Sequence, residues 1–149
     1  MIGLLQRVTT ASVAVDKKTI AEINNGLLVF IGIEQKDTPS QADRLIERLI
    51  NYRVFADQEG KMNLSLTDIQ GGLLLVPQFT LPADTRKGMR PSFSSAASPE
   101  TGEKLFNYLV KCASAEHANV ATGIFGAQMQ VKLTNDGPVT FWLQTSAKT

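Results

Sequence analysis

One cysteine and one histidine stand among 149 residues. The single thiol, Cys112, excludes an intramolecular disulfide and fits a reducing compartment. The single imidazole, His117, excludes a His-rich metal centre and leaves one candidate base for a Ser-His or Cys-His relay. No apolar run reaches the ~18 residues that suggest a membrane span. The stretch Met1 to Val8 lacks a basic region and is interrupted by Gln6 and Arg7, so it does not read as a secretory signal. A cytoplasmic protein with no membrane partner is expected. Neither charge sign dominates: 15 Lys+Arg against 14 Asp+Glu leave a net charge of +1, which excludes a strongly basic nucleic-acid wrapper but not a local basic patch. No DNA partner is expected. G-x-x-x-x-G-K-[ST], G-x-G-x-x-G and G-x-S-x-G are all missing, and no Cys/His cluster has zinc spacing, so no metal and no cofactor is expected. Linkers, low-complexity tracts and fixed-period repeats are also lacking.

What is present suits one domain, residues 1–149, able to bury a core without staples. Ile2 to Val15 alternates and reads as a long strand. Asp16-Lys17-Lys18-Thr19 reads as a turn, and Ile20 to Ile23 as a short return strand. Leu27 to Ile31 and Leu73 to Val76 are continuously apolar, as in strands buried on both faces. Val54-Phe55 and Met62-Asn63-Leu64 flank the turn Asp57-Gln58-Glu59-Gly60. Met129, Val131 and Leu133 alternate with polar residues, Asn135 to Pro138 reads as a turn, and Val139 to Leu143 as the last strand.

Two helices are predicted. In the first, Ala42, Leu45, Ile46, Leu49 and Ile50 form an apolar stripe. It starts either at Ser40, with Asp43 three residues on, or at Thr38 with Pro39 in the first turn. The second starts at Ser98-Pro99-Glu100 and carries Leu105, Phe106, Leu109, Val110 and Ala113. Two main helices cannot cover both faces of so much sheet. An α/β protein with three layers, β/β/α, and mixed sheets is expected.

Side chains suited to conventional catalysis are scarce. His117 falls at the end of the second helix, where it complements the negative end of the dipole. Cys112 lies inside that helix and reads as a packed thiol. Two segments remain. Pro77-Gln78-Phe79-Thr80-Leu81 leaves a buried strand and enters a loop with Arg86, Lys87, Arg90 and Phe93. That loop reads either as solvated surface or as phosphate contact plus base stacking. Asn135-Asp136-Gly137-Pro138-Val139-Thr140 reads either as an ordinary hairpin turn or, with a cis Gly-Pro bond, as a rigid main-chain surface.

In this order and separation, Gln78-Phe79-Thr80-Leu81 and Asn135 to Thr140 resemble the two signature motifs of the D-aminoacyl-tRNA deacylase family, of the bacterial D-Tyr-tRNA deacylase type. Gln6-Arg7-Val8, Ala11-Ser12-Val13, Glu59 to Asn63, Gly88 to Phe93 and Phe141 to Gln144 extend the resemblance to nearly the whole chain. Two positions depart from the family pattern. Pro77 stands where serine is usual, which removes a hydroxyl and a backbone N–H. Gln128 stands where many members carry an acid; an alternating strand can place it away from the site.

The resemblance implies hydrolysis of the ester joining a D-amino acid, or misattached glycine, to the terminal adenosine of tRNA. It implies a homodimer in which each site borrows the partner's Gly137-Pro138 turn. Gln78, Phe79 and Thr80 would form the catalytic strand end, Arg7 would brace the turn, and Met129 would line the pocket. Arg86, Lys87, Arg90 and Phe93 would meet the tRNA 3′ end. An aminoacyl ester is already activated, and the neighbouring ribose 2′-hydroxyl can assist water. The protein then supplies position and an oxyanion site from the Phe79 and Thr80 N–H groups. A Thr80 nucleophile would need a base. Two other classes stay open: a non-catalytic RNA-end-binding module, and a small-ester hydrolase using Thr80.

Overall fold

The alternating start of the chain is one strand, β1 (Ile2–Val15), in the computed structural model, which describes residues 1–147. It turns through Asp16 and Lys17, at φ 50° and 65°, into β2 (Lys18–Ile23). The expected four-residue turn is thus a two-residue one, and β2 begins before Ile20. Positive φ at both central residues matches the twist of the paired strands, which makes so short a connection favourable. Then follow β3 (Gly26–Gly32), α1 (Pro39–Asn51), the ribbon β4 (Phe55–Ala56) and β5 (Met62–Leu64), and α2 (Leu66–Ile69). The chain ends with β6 (Gly72–Pro77), α3 (Pro99–Glu116), β7 (Val120–Thr122) and β8 (Gln130–Gln144). The short α2 and β7 have too few residues to show a period and were not predicted.

Thr38 is the N-cap of α1, not Ser40, and Pro39 opens the helix. The Gln41 carboxamide oxygen accepts from the Thr38 N–H at 2.7 Å and its hydroxyl at 2.8 Å. Gln41 thereby occupies the place that the Ser40 alternative assigned to Asp43, whose carboxylate instead takes the Tyr108 hydroxyl at 2.8 Å. In α3, Ser98 accepts from the Thr101 N–H and Pro99 occupies the first turn, as predicted.

β2, β1, β3, β6 and β7 form one sheet in that order, and β8 joins it through β1. β3, β6 and β7 are parallel; β1 is antiparallel to β2, β3 and β8, so the sheet is mixed. Leu27, Val29, Ile31, Leu73 and Leu75 face a core shared with α1 and α3. Leu28, Leu74 and Val76 face a second core made with Val8, Ala11, Val13 and Ile23. The sheet therefore folds back over its own central strands. The layers are helices, β3-β6-β7, and the return of β1, β2 and β8, which explains the unbroken apolar runs of β3 and β6. No helix among the described residues is long and apolar enough to cross a membrane.

The expected hairpin turn at Asn135–Pro138 is not one: β8 pairs with β1 on both sides of it, without reversing. Val8 pairs with Asn135 and Gln6 with Thr140, so four residues, 136–139, oppose Arg7 alone. They form a wide bulge inside one strand. Turn-forming residues bend a strand locally, and only pairing with β1 decides that the chain continues in its old direction.

The join of the two central parallel strands is tight. Gly26 pairs with Gly72, and a Cβ on Gly26 would overlap the Gly72 carbonyl oxygen and lie 2.7 Å from the Gly72 nitrogen. Backbone atoms cannot rotate away as a side chain can. Gly26→Ala is expected to destabilise the fold by at least the ~1–3 kcal/mol of an overpacked core, read as a lower urea midpoint. An unchanged midpoint would mean that β3 and β6 are further apart there.

Candidate active site

β6 ends at Pro77, paired with Ile31, and the chain turns out through Gln78-Phe79-Thr80. The Gln78 N–H still reaches the Ile31 carbonyl at 2.8 Å, while Leu81 and Ala83 donate back to Gln78 and Thr80. These bonds fix a tight turn and leave the Phe79 and Thr80 N–H groups with no acceptor among the described residues. Two adjacent unpaired backbone donors on a fixed turn can receive a developing oxyanion. Pro77 has no N–H to donate toward β7, and the β6–β7 bonding stops with the Gly123 N–H on the Leu75 carbonyl at 2.9 Å. The last pair between β6 and β7 is Leu75 with Thr122, one turn of the pleat earlier.

Thr80 is exposed, and the Gln78 carboxamide donates to its Oγ1. No carboxylate or imidazole bonds to Thr80 among the described residues. His117, the one imidazole, is buried at the C-cap of α3, with Nε2 2.6 Å from the Gly71 carbonyl. A carbonyl only accepts, so Nε2 carries the proton of this bond. His117 stands at the helix end as predicted, but its ring is spent on Gly71, at the opposite end of β6 from Thr80. Cys112 is half-buried, burial pushes its thiol pKa up, and its Sγ lies 3.5 Å from Asp43 Oδ1. Both features disfavour the thiolate.

Beside the turn lies an open apolar hollow of about 500 Å³, lined by Pro77, Phe79, Phe93, Ala96, Ala97, Ser98, Pro99, Phe125 and Gly126. Phe79 and Phe93 pack at 5.3 Å between ring centroids, yet stay 62% and 44% exposed. Flat aromatic faces left open to solvent suit a stacked planar ring. Phe125 and Pro99 were missed from the sequence, because they reach the hollow only through the pairing of β7 and the docking of α3. Met129 is half-buried in the second core, near Gly123 and Pro77: a Cβ on Gly123 would lie 2.8 Å from its sulfur and 3.4 Å from the Pro77 ring. Gln128 is exposed and precedes β8 instead of lying within the alternating strand.

The loop after Pro82 is closed by Asp84 and Ser92, which exchange backbone bonds of 2.7 and 2.9 Å. The Asp84 carboxylate takes the Arg86 N–H at 3.0 Å and its guanidinium at 2.9 and 2.7 Å. Lys87 and Arg90 are exposed with no salt-bridge partner among the described residues. Asp84 was not singled out from the sequence; its place two residues before Arg86, the spacing of an Asx-turn, is the signal that could have marked it.

The Gly137-Pro138 bond is cis, and both residues are exposed. Arg7 holds the approach: Nε donates to the Asp136 carbonyl at 2.9 Å and Nη1 to the Val54 carbonyl at 2.7 Å. Asn135 clamps the bulge, accepting from the Val139 N–H at 2.7 Å and donating to the Val139 carbonyl at 3.2 Å. A Cβ on Gly137 would collide with the Val139 nitrogen and lie 2.6 Å from its Cγ2. The turn and the strand end do not meet within one chain. Asn135 is level with Val8, Gly26 and Gly72, whereas Pro77 is level with Ile31. Five residues of β3 separate the two levels, ~17 Å at about 3.3 Å per residue.

Hydrogen bonds from the Arg86 side chain and backbone hold the Asp84 carboxyl at about 2, below the usual 3.8. The folded loop favours the ionised form, so its brace is complete above about pH 4 and is lost as pH falls through about 2. A pH titration of the Arg86 Nε–H resonance is expected to show that late loss. A midpoint at the ordinary carboxylate value would mean that the brace does not form in solution.

The family model described as D-Tyr-tRNA(Tyr) deacylase matches residues 4–144. The D-aminoacyl-tRNA deacylase of Pseudomonas putida (strain GB-1) is 61% identical over 144 residues, which cover 97% of this chain and 99% of that one. That of Pseudomonas fluorescens (strain Pf0-1) is 61% identical over 145 residues, 97% of this chain and 100% of that one. Among solved structures, the c-Myc DNA Unwinding Element Binding Protein superposes with a TM-score of 0.95 at 37% identity, over 99% of this chain and 100% of that one. A probable eukaryotic D-amino acid tRNA deacylase shares the fold, with a TM-score of 0.85 at 17% identity over 97% and 98%. The chain belongs to the D-Tyr-tRNA(Tyr) deacylase family.

Proposed function

We propose that the protein hydrolyses the ester between a D-amino acid, or glycine, and the terminal adenosine of tRNA, and that it rejects L-aminoacyl esters. Two free backbone N–H groups, on Phe79 and Thr80, carry this reading. They sit where an apolar, aromatic hollow opens, whose described lining holds no titratable side chain. The adenine stacks in the hollow against Phe79 and Phe93. Arg86, Lys87 and Arg90 face the phosphates of the 3′ end. The ester carbonyl oxygen then points at the Phe79 and Thr80 N–H groups. Water, assisted by the ribose 2′-hydroxyl, adds to the carbonyl carbon. The bond to the 3′-oxygen breaks, that oxygen takes a proton, and the free amino acid and tRNA leave. A metal or cofactor has no part in this route. The reaction belongs in the cytoplasm, where charged tRNA circulates. DNA lacks the assisting hydroxyl and is no substrate.

The selector is the Gly137-Pro138 turn of a second copy. Its distance from the chain's own Gln78–Thr80 supports a turn supplied by a neighbour, and a two-fold dimer completes two sites at once. Leu4 pairs with Phe30 on one side and Trp142 on the other, giving a partly exposed apolar row, with Trp142 51% exposed. Phe30 in turn pairs with Val76, on the strand that runs into Gln78. A partner seated on this row brings its turn beside Thr80, with Met129 at the margin of the pocket. Main chain placed there clashes with an L side chain and leaves room for the hydrogen of glycine or a D-residue.

D-tyrosyl-tRNA is expected to lose its ester at least a hundredfold faster than L-tyrosyl-tRNA, followed by acid-precipitable label. Thr80→Ala is expected to keep substantial activity, while a 2′-deoxy terminal adenosine esterified at the 3′ position is expected to abolish it. Loss of several orders of magnitude in Thr80→Ala with the fold intact, or an acyl group trapped on Thr80, would replace this route by a threonine nucleophile. Turnover of simple aminoacyl esters without RNA would point to a small-ester hydrolase, and tRNA binding without ester loss to an end-binding module.

Trp142→Glu puts a charge in the proposed interface. The variant is expected to sediment as a monomer, with native circular dichroism and at least tenfold less deacylation. A wild-type chain that is fully active as a monomer would exclude the shared site.

A further inference from the structure

Loop 84–92 has a feature that the phosphate contacts leave unused. Its apex presents Met89 at 99% exposure, the most exposed large apolar side chain among the described residues. Single exposed apolar residues are ordinary on protein surfaces. This one sits on a pinned support. Asp84 and Ser92 close the base of the loop, Arg86 is folded back onto Asp84, and Gly88, at φ 67°, bends the chain at the apex. That backbone region suits glycine, and a Cβ there meets nothing within 4 Å, so the bend is free of packing demands. Lys87 and Arg90 flank the apex, and Phe93 follows directly on the closing Ser92. The loop therefore holds one thioether between two cations, beside an open aromatic pair.

We infer that loop 84–92 reads the unpaired nucleotide next to the terminal adenosine, with Met89 as the apolar contact to its base and Asp84 as the positioning residue. The inference rests on the reading above, in which the terminal adenine occupies the hollow of Phe79 and Phe93. An RNA strand leaving that hollow carries alternating flat bases and negative phosphates. A polarizable thioether packs well on an aromatic face, and cations on either side neutralise the phosphates that flank it. Arg86 serves the loop before it serves the RNA, because two of its guanidinium donors are taken by Asp84.

The test compares two esters that share the reacting group: D-tyrosyl-tRNA, and D-tyrosine esterified to the 3′-hydroxyl of adenosine alone. The ratio of kcat/KM on the tRNA ester to that on the adenosine ester is measured for wild type, Met89→Ala, Met89→Leu and Asp84→Asn. Met89→Ala is expected to lower the ratio at least about fivefold, the lower end for losing one base-stacking contact, through KM and not kcat. Met89→Leu, which keeps the apolar bulk, is expected to restore most of it. Asp84→Asn is expected to lower the ratio like Met89→Ala and also to release the Arg86 Nε–H resonance. An unchanged ratio in Met89→Ala would overturn the inference, as would equal loss on both esters. A shift of Met89→Ala toward monomer in sedimentation would assign Met89 to the dimer contact instead. If wild type cleaves neither ester, the proposed deacylation fails, and the loop assignment falls with it.

Discussion

The pairing of β8 with β1 on both sides of residues 136–139 governs the rest of the molecule. Both halves of β8 are held in register, so the surplus chain between them must bulge, with Gly137 and Pro138 exposed and Val139 turned into the core. Arg7 and Asn135 then fix the bulge from within, through the Asp136 carbonyl and the Val139 backbone. A main-chain surface is stiff because its hydrogen bonds belong to the sheet, and it varies little with the side chains around it. The same pairing sets Trp142 opposite Leu4 and so builds a partly exposed apolar row.

The site is poor in acid–base groups, and the fold makes it poorer. His117 is bound to Gly71 at the entry of β6, while Gln78–Thr80 lie at its exit. Cys112 is turned toward Asp43 on the helical layer. What remains at the strand end is backbone: two unpaired N–H groups and an aromatic hollow. Such a site can orient a reactive ester and stabilise charge on its carbonyl oxygen, and it needs the substrate to bring the rest of the chemistry. In the proposed reaction, the ribose hydroxyl beside the aminoacyl ester brings it.

The proline at the end of β6 illustrates how position decides the weight of a substitution. A proline inside a central strand removes a ladder bond. Pro77 comes after the last pair with β7, and the neighbouring Gln78 N–H still reaches Ile31. Pro77 therefore leaves the ladder with β3 whole, lies where the ladder with β7 ends, and puts its ring at the rim of the hollow.

Local pattern was enough for β1, β3, α1, α3 and the capping of α3, because period, proline and cap residues act within a few positions of one another. It also placed the two motifs whose order and spacing resemble a known family. The three-layer arrangement followed from two main helices being too few to cover both faces of so much sheet. Tertiary pairing alone decided the rest. Whether Asn135–Pro138 reverses the chain depends on β1, far away in sequence, accepting both halves of β8. That the turn and Thr80 lie at opposite ends of the sheet is a matter of register, and a strand's own residues do not encode which partner residue they will face. Likewise Arg86 reads as a free cation until Asp84 folds back on it, and His117 as a dipole cap until Gly71 comes within reach. Sequence determines which groups the chain possesses; long-range contacts determine which of them remain unsatisfied, and unsatisfied groups are the ones available to a substrate.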